Sequence, residues 1–331
     1  MKSATYLSVL KNEISDFVEL RSSQGFKDKN RYILKTLDKH LISLNVTKKE
    51  LTSPVVESWL SESCGDAKAR TASNYTTYYN AFARYLITID IPTFVAEPPI
   101  LDQSYMPYIF SPQQIEDIFR IADNRKSMND RLTRIQFPML LRILYGCGLR
   151  LGEALSLRLS DFDAINGVLF IWNGKGNKDR LVPMDKTLIS LLSNYCKVMF
   201  SKKSPETYMF ESDFKDKIRD CIGKPRSYSW AQLNFRRVLD DAGIEVPRYS
   251  KNERSICLHC LRHTFAVNSF RNQEICGIDN YRKTPLLSVY LGHYELEGTQ
   301  KYLHMTDEIA CDIIEQAAVY SKGLFPEVPK N

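Results

Sequence analysis

One tyrosine and three basic clusters are the residues of this sequence best suited to chemistry. Tyr302 follows His293 by nine residues, and the clusters before it occupy residues 148–150 (Gly-Leu-Arg), 174–176 (Gly-Lys-Gly) and 259–263 (His-Cys-Leu-Arg-His). A phenol has an ordinary pKa near ~10 and is a poor nucleophile in water, so it needs cations and a base nearby. The combination is typical of attack by a tyrosine on a phosphodiester, which needs no metal ion.

The cations suit particular steps of that reaction. Guanidinium groups such as those of Arg150 and Arg262 grip the non-bridging oxygens of one phosphate and meet the charge that grows on a pentacoordinate phosphorus. A lysine such as Lys175 can protonate a leaving alkoxide, and a histidine can accept the phenolic proton, work worth ~10²–10⁴-fold. Arg150 follows a glycine-bearing turn at a predicted helix start, where free N–H groups favour an anion. Glu153, one helical turn further on, is placed to hold its guanidinium.

Each basic cluster alone also has a plainer interpretation. Residues 173–179 would form a solvated turn rich in Gly, Asn and Lys. Arg150 and Glu153 would form an ordinary surface salt bridge. A phosphate-binding Walker loop is excluded at Lys175, because the required spacing and the following Ser or Thr are missing.

Zinc binding is the competing interpretation of the last basic cluster. Its possible ligands are Cys257, His259, Cys260 and His263. The spacing is not that of two paired knuckles, and a helix would point both cysteines away from the face that the two histidines share. A helix with one buried histidine is the other alternative, but it does not explain the arginine, Arg262, between two histidines.

The bulk composition allows two domains and a polyanionic partner. The chain has 331 residues, of which 44% are hydrophobic, enough for two packed domains. The net charge, 45 − 39 = +6, permits a polyanionic partner without requiring one. Eight cysteines without a repeated spacing indicate reduced thiols of a cytoplasmic protein. No apolar signal core or membrane-length apolar stretch is found, so we expect no membrane association.

The first part of the chain has the periodicity of helices. Apolar residues recur at three- and four-residue steps over 7–18 and 33–41. Thr47 and Glu50 have the spacing of a capping box, which predicts the start of a third helix there. A fourth helix over about 67–88 carries several tyrosines and a phenylalanine, which we expect to pack in a core.

A cluster of prolines between residues 91 and 112 predicts an extended connection and the main domain boundary. Ser111, Pro112 and Gln114 then predict a capped helix start. The elements predicted further on are a helix over 138–145, a short helix over 151–159, strands over 167–172 and 180–183 that flank a turn, mostly helices from residue 230, and a helix over 307–320 that docks either on a neighbouring protomer or within its own chain.

The order and spacing of these motifs resemble those of the tyrosine recombinases, also called the phage integrase family. Members carry Gly-Leu-Arg-x-x-Glu, here with Arg150 and Glu153, and a hairpin lysine in Gly-Lys-Gly-Asn-Lys-x-Arg-x-Val-Pro, here Lys175. They also carry His-x-Leu-Arg-His, here residues 259–263, and Leu-Gly-His followed nine residues later by tyrosine, here residues 291–302. The resemblance covers about residues 107–306. It is close to the bacterial Xer proteins in motif and to transposon- or phage-borne integrases in layout.

The resemblance implies a mainly α fold with a small β-sheet, divided into two domains. Residues 1–95 would form a helical core-binding DNA-binding domain of the SAM-like type, and residues 96–108 a proline-rich linker. Residues 109–322 would form the α+β catalytic domain, and residues 323–331 a tail.

The resemblance also implies a role for each site residue. The expected catalytic residues are Arg150, Lys175, His259, Arg262, His293 and Tyr302, with Glu153 and His263 in support. Tyr302 would attack a DNA phosphorus and form a 3′-phosphotyrosyl bond, and both arginines would clamp the phosphate. Lys175 would protonate the departing 5′ oxygen, His259 would assist proton transfer, and His293 would donate a hydrogen bond to a phosphate oxygen.

The implied function is site-specific recombination or integration without metal, ATP or any other cofactor. The implied partners are double-stranded DNA recombination sites, on which protomers would assemble as a tetramer. A type IB topoisomerase-like enzyme would use the same chemistry as a monomer. A DNA-binding protein without catalysis and a zinc-dependent regulator are the remaining alternatives.

Overall fold

The computed structural model describes residues 6–26, 30–101, 107–125, 131–174, 178–215, 219–246, 255–275 and 280–292, together with residues 299 and 302. The described residues fall into two compact units, one within 6–101 and one within 107–302. Most of both units is helical, and the second also contains a three-stranded sheet. The predicted fold class, mainly α with a small sheet, is therefore confirmed.

The first unit is built from helices that share one aromatic-rich core. The helices are α1 (Lys11–Ser23), α2 (Tyr32–Ser43), α3 (Ser53–Cys64) and α4 (Ala69–Thr88). Tyr79 and Phe82 of α4 are fully buried, with Trp59 centred 5.5 Å from Tyr79 and Phe17 5.3 Å from Phe82. The rings of this helix therefore form core packing, as predicted.

The capping box predicted at Thr47 and Glu50 is wrong. Helix α3 begins at Ser53, with Thr52 as its N-cap and a proline in its first turn, where a missing N–H costs nothing. Leu51 is held extended, because its N–H donates to Pro92 O at 3.0 Å and its carbonyl accepts from Phe94 N at 2.8 Å. This tertiary pairing prevents an earlier helix start.

The second unit combines helices with an antiparallel sheet. Its elements are α5 (Pro112–Asn124), α6 (Arg131–Cys147), α7 (Leu151–Leu155), β1 (Phe162–Asp163), β2 (Val168–Ile171), β3 (Arg180–Pro183), α8 (Lys186–Phe200), α9 (Tyr228–Asp241), α10 (His259–Ile275) and α11 (Asn280–Leu291). The strand order is β1-β2-β3, with Ile171 opposite Arg180. Helix α6 supplies much of the core, including Phe137, Leu140 and Leu144, and packs against α5 and α10.

Two local predictions in this unit have different outcomes. The capping box at Ser111 is present: the Ser111 hydroxyl accepts from Gln114 N at 3.2 Å, and the Gln114 side chain accepts from Ser111 N at 3.0 Å. The helix predicted over 151–159 ends at Leu155 instead. Its last residues pair elsewhere, since Leu157 O accepts from Met209 N at 2.8 Å and Leu159 N donates to Thr207 O at 3.0 Å.

Some expectations stay predictions. The helix over 307–320 and the tail over 323–331 lie outside the described residues, and the domain limits at 95, 108 and 322 remain as expected from the sequence. No helix in the described ranges is long and apolar enough to cross a membrane.

Candidate active site

Arg150 lies at the start of α7, directly after a tight turn. Gly148 adopts φ +57° in this turn, and a Cβ there would lie 2.5 Å from the ring of Phe265, so the turn requires glycine. The Arg150 backbone N–H donates to Glu153 Oε2 at 2.9 Å and Nη1 donates to Oε1 at 2.8 Å, while Nη2 donates to Gly292 O at 2.8 Å. Glu153 therefore contacts the guanidinium of Arg150, as predicted from the sequence.

Glu153 also binds a second arginine, which the sequence analysis missed. Arg180, the first residue of β3, donates from Nη2 to Glu153 Oε2 at 2.8 Å and from Nη1 to Oε1 at 3.1 Å. Burial alone would raise the pKa of Glu153, but the hydrogen bonds and charge of Arg180 and the bonds from Arg150 outweigh it and lower the pKa to about 2. Glu153 is thus a buried carboxylate held ionised between two guanidiniums.

Replacing Glu153 by Gln is expected to remove a pH-dependent part of the stability. Because the folded pKa of about 2 lies below the ordinary 4.5, the ionised carboxylate stabilises the fold above about pH 4.5, and this contribution is lost as the pH falls through about 2. The shift corresponds to about 3 kcal/mol. Urea denaturation at pH 7 and at pH 3 measures the part of this contribution that is lost over that range: the free energy of unfolding should fall more steeply for the wild type than for Glu153→Gln. Parallel pH profiles would contradict this assignment.

Arg262 lies on α10 and is almost completely buried, with 1% of its surface exposed. Its Nη1 donates to Gly148 O and its Nη2 to Leu291 O, both at 2.7 Å. Burial, helped by the charge of Arg150, lowers the pKa of Arg262 to about 10, although Tyr302 and Glu153 oppose part of this effect. The guanidinium therefore stays protonated at neutral pH, close to the other charges of the site.

The histidines of α10 lie on one face of the helix, as their four-residue spacing predicts. The rings of His259 and His263 meet edge to face with centroids 4.5 Å apart. His259 is exposed, whereas His263 is half-buried. The structure thus gives the pair one ring facing solvent and one facing the interior of the unit.

Tyr302 is buried, with 5% of its surface exposed, in a small apolar cluster that includes Phe270 and Leu291. Its Oη lies 2.8 Å from His263 Nδ1, and the ring centroids are 5.5 Å apart. His263 was expected to have only a supporting role, yet among the described histidines its ring nitrogen is within hydrogen-bond distance of the phenol. The structure therefore brings Tyr302, His263 and Arg262 into one region.

Two of the expected catalytic residues, Lys175 and His293, lie outside the described residues. The base of the hairpin before Lys175 is described: Asn173 N donates to Asp179 Oδ1 at 2.7 Å, and Gly174 N donates to Lys178 O at 3.0 Å. These bonds close the hairpin across its base, next to Arg180.

The possible zinc ligands do not form a metal site in the part of the chain that the structure describes. Cys260 is buried on α10, and its hydrogen bond with Cys257 together with burial raises the pKa of its thiol, which disfavours the thiolate that binds zinc. Within the same described ranges, no three His, Cys, Asp or Glu side chains are grouped to hold a metal ion.

Arg180 was missed because its role depends on partners distant in sequence. The available signal was its place in the Gly-Lys-Gly-Asn-Lys-x-Arg segment, at the start of a strand whose alternate residues face inward. Its partners, Glu153 and the carbonyl of Tyr290, lie 27 and 110 residues away. Periodicity and local spacing carry no information on such contacts.

The family model and the similar proteins all indicate the same family. The family model described as "Phage integrase family" matches residues 109–308. The Sinorhizobium fredii protein y4rB, provisionally named an integrase/recombinase, is 29% identical over 92% of this chain and 95% of its own length. Tyrosine recombinase XerC of Listeria welshimeri is 27% identical over 72% of this chain and 71% of its own.

A solved structure shares the fold. The XerH site-specific recombinase aligns with a TM-score of 0.61 at 19% identity, over 95% of this chain and 85% of its own. The family model covers more than half of the 331 residues, including every described residue of the site. This chain therefore belongs to the phage integrase family, the tyrosine recombinases.

Proposed function

We propose that this chain is a site-specific recombinase or integrase that cleaves and rejoins double-stranded DNA through a 3′-phosphotyrosyl intermediate, without metal or ATP. The observation that carries the proposal is a buried phenol in contact with an imidazole beside a buried guanidinium. Tyr302 Oη lies 2.8 Å from His263 Nδ1, and Tyr302 and Arg262 interact electrostatically. The XerH structure that shares the fold was solved bound to a palindromic difH substrate, and double-stranded DNA is the substrate proposed here.

In the proposed cleavage step, Tyr302 Oη attacks the phosphorus of one DNA strand and the bond to the 5′ oxygen breaks. The phenolic proton passes to the histidine pair, with His263 orienting the phenol and His259 assisting. Arg150 and Arg262 stabilise the added negative charge on the phosphate oxygens. In the proposal, Lys175 gives the departing 5′ oxygen its proton, and His293 donates a hydrogen bond to a phosphate oxygen.

Rejoining reverses these steps on a different strand. A 5′ hydroxyl attacks the phosphotyrosyl phosphorus, and the released phenolate recovers its proton. Because one phosphodiester bond replaces another, the intermediate conserves the bond energy and no ATP is consumed. Exchange between two duplexes cuts four strands in all, so one tyrosine per strand leads to the proposed tetramer on paired DNA sites.

The test uses the full chain with nicked suicide duplexes that tile the DNA flanking its gene, in EDTA. We expect a covalent protein–DNA adduct that survives denaturant and disappears on protease digestion. The DNA should be joined to the protein through its 3′ end, and the released fragment should carry a 5′ hydroxyl that a polynucleotide kinase can label. Cleavage that stops in EDTA would indicate a metal nuclease and contradict the proposal.

A second assay separates a recombinase from a topoisomerase. The chain is incubated with supercoiled plasmids that contain or lack the DNA that gives an adduct. A recombinase should act only on the plasmid with this DNA and should yield joined products from two copies. Efficient relaxation of the plasmid without it would favour the type IB topoisomerase alternative.

A further inference from the structure

Three consecutive carbonyls at the end of α11 each accept a hydrogen bond from a different arginine. The three bonds run from Arg180 Nε to Tyr290 O at 2.8 Å, from Arg262 Nη2 to Leu291 O at 2.7 Å and from Arg150 Nη2 to Gly292 O at 2.8 Å. The last carbonyls of a helix have no partners within it and carry partial negative charge, so they attract cations. The end of α11 therefore gathers three guanidiniums, two of which are the proposed phosphate clamps.

Arg180 differs from the other two arginines in how it is used. All three of its side-chain nitrogens donate to protein acceptors: Nη1 and Nη2 to Glu153, and Nε to the Tyr290 carbonyl. Its side chain is only 7% exposed, whereas that of Arg150 is 23% exposed. Arg180 is thus committed to contacts within the protein, while Arg150 keeps part of its surface open to a ligand.

The contacts of Arg180 connect three segments of the site. Through Glu153 it reaches the start of α7, where the carboxylate holds the Arg150 guanidinium at 2.8 Å. As the first residue of β3 it adjoins the base of the hairpin, and through Tyr290 it binds the end of α11.

The surrounding glycines make room for this arrangement. A Cβ on Gly292 would lie 2.8 Å from Arg180 Nη1, and the residue adopts φ +67°, a conformation that favours glycine. A Cβ on Gly174 would lie 3.3 Å from the same Nη1 atom. Both the hairpin and the turn after α11 therefore approach the Arg180 guanidinium closely.

Glu153 is the carboxylate that all three of these arginines interact with. Three guanidiniums face one carboxylate, which leaves a net charge of +2 in a nearly buried cluster. Each carboxylate oxygen of Glu153 accepts one hydrogen bond from Arg150 and one from Arg180. Without Arg180, the carboxylate loses two of its four bonds and is held only by Arg150 itself, so the orientation of the Arg150 guanidinium is less constrained.

We propose that Arg180 is a positioning residue of the recombinase: it fixes Glu153, and through it Arg150, against the end of α11. The arrangement presents Arg150 to the phosphate in one orientation. This inference rests on the proposed function, since the readout is DNA cleavage. It adds a residue that neither touches the phosphate nor moves a proton.

The test compares Arg180→Gln and Arg180→Lys with the wild type in single-turnover cleavage of a suicide duplex. We expect the cleavage rate of Arg180→Gln to fall about 100-fold, the effect of a displacement of about 1 Å in a reacting group. Affinity for the same uncleaved duplex should change less than about threefold, because all three side-chain nitrogens of Arg180 already donate to acceptors within the protein. Arg180→Lys should not restore the rate, since an ammonium cannot reproduce the planar fork that binds Glu153.

A matched control and a double variant distinguish positioning from a general loss of stability. Arg142 binds the Asp123 carboxylate in the same two-pronged way, at 2.9 and 2.7 Å, on another surface of the unit, and Arg142→Gln should cleave at the wild-type rate. If Arg180 acts through Glu153, the double variant Arg180→Gln/Glu153→Gln should be no slower than the slower single variant. Rates are measured at a temperature at which every variant is folded.

Two outcomes would overturn the proposal. One is a wild-type cleavage rate for Arg180→Gln. The other is a double variant whose fold-reduction in cleavage rate equals the product of the two single reductions, as for independent sites. If the wild type itself forms no adduct on any duplex, the proposed function fails instead, which separates the two failures.

Discussion

Tyr302→Phe is expected to abolish the covalent protein–DNA adduct while the protein still folds and binds DNA. The substitution removes only Oη, which is both the proposed nucleophile and the partner of His263 at 2.8 Å. Loss of a catalytic nucleophile lowers rates on the order of 10⁶-fold. Loss of one hydrogen bond costs only about 0.5–1.5 kcal/mol, and the aromatic ring remains in its apolar cluster. Denaturing gels of suicide-duplex reactions measure the adduct.

Tyr195→Phe is the control for this variant. Tyr195 is buried in the same unit, and its hydroxyl donates to the carbonyl of Met209. The control therefore loses a buried phenol hydroxyl far from α10 in sequence, and it should form the adduct at the wild-type level. An adduct that persists in Tyr302→Phe would assign the nucleophile to another of the eighteen tyrosines.

Arg262→Ala is expected to lower both stability and cleavage. Two buried carbonyls, those of Gly148 and Leu291, lose their donors, which costs about 2–6 kcal/mol in total at about 1–3 kcal/mol each. Removing one preorganised donor to a developing oxyanion lowers the rate about 10²–10³-fold. Urea denaturation measures the first effect, and single-turnover cleavage at a temperature where the variant is folded measures the second.

Arg226→Ala separates the two effects of Arg262→Ala. Arg226 is also buried, with 7% of its surface exposed, but it binds Gln136 and Asp213 instead of the carbonyls of the site. We expect both variants to lose stability and only Arg262→Ala to lose cleavage per folded molecule. Equal cleavage by the two variants would remove Arg262 from the proposed phosphate clamp.

The sequence by itself determined the features that depend on neighbours within one turn or one strand. The Ser111 cap, the burial of the α4 aromatics and the common face of His259 and His263 all follow from local spacing. Contact between Arg150 and Glu153 is of the same kind, because the two residues are three apart at a helix start. Four ordered motifs were also enough to suggest the family, since together they are far more specific than each alone.

Tertiary structure alone decided which side chains meet across the second unit. These contacts join residues that are 27 to 142 positions apart. They are the pairing of Arg180 with Glu153, the bonds of three arginines to the end of α11, and the contact of His263 with Tyr302. The same holds for the early end of α7, which follows from bonds to residues 207 and 209. Such contacts arise when packed elements bring unpaired carbonyls and charges together, and no periodicity along the chain encodes which ones will meet.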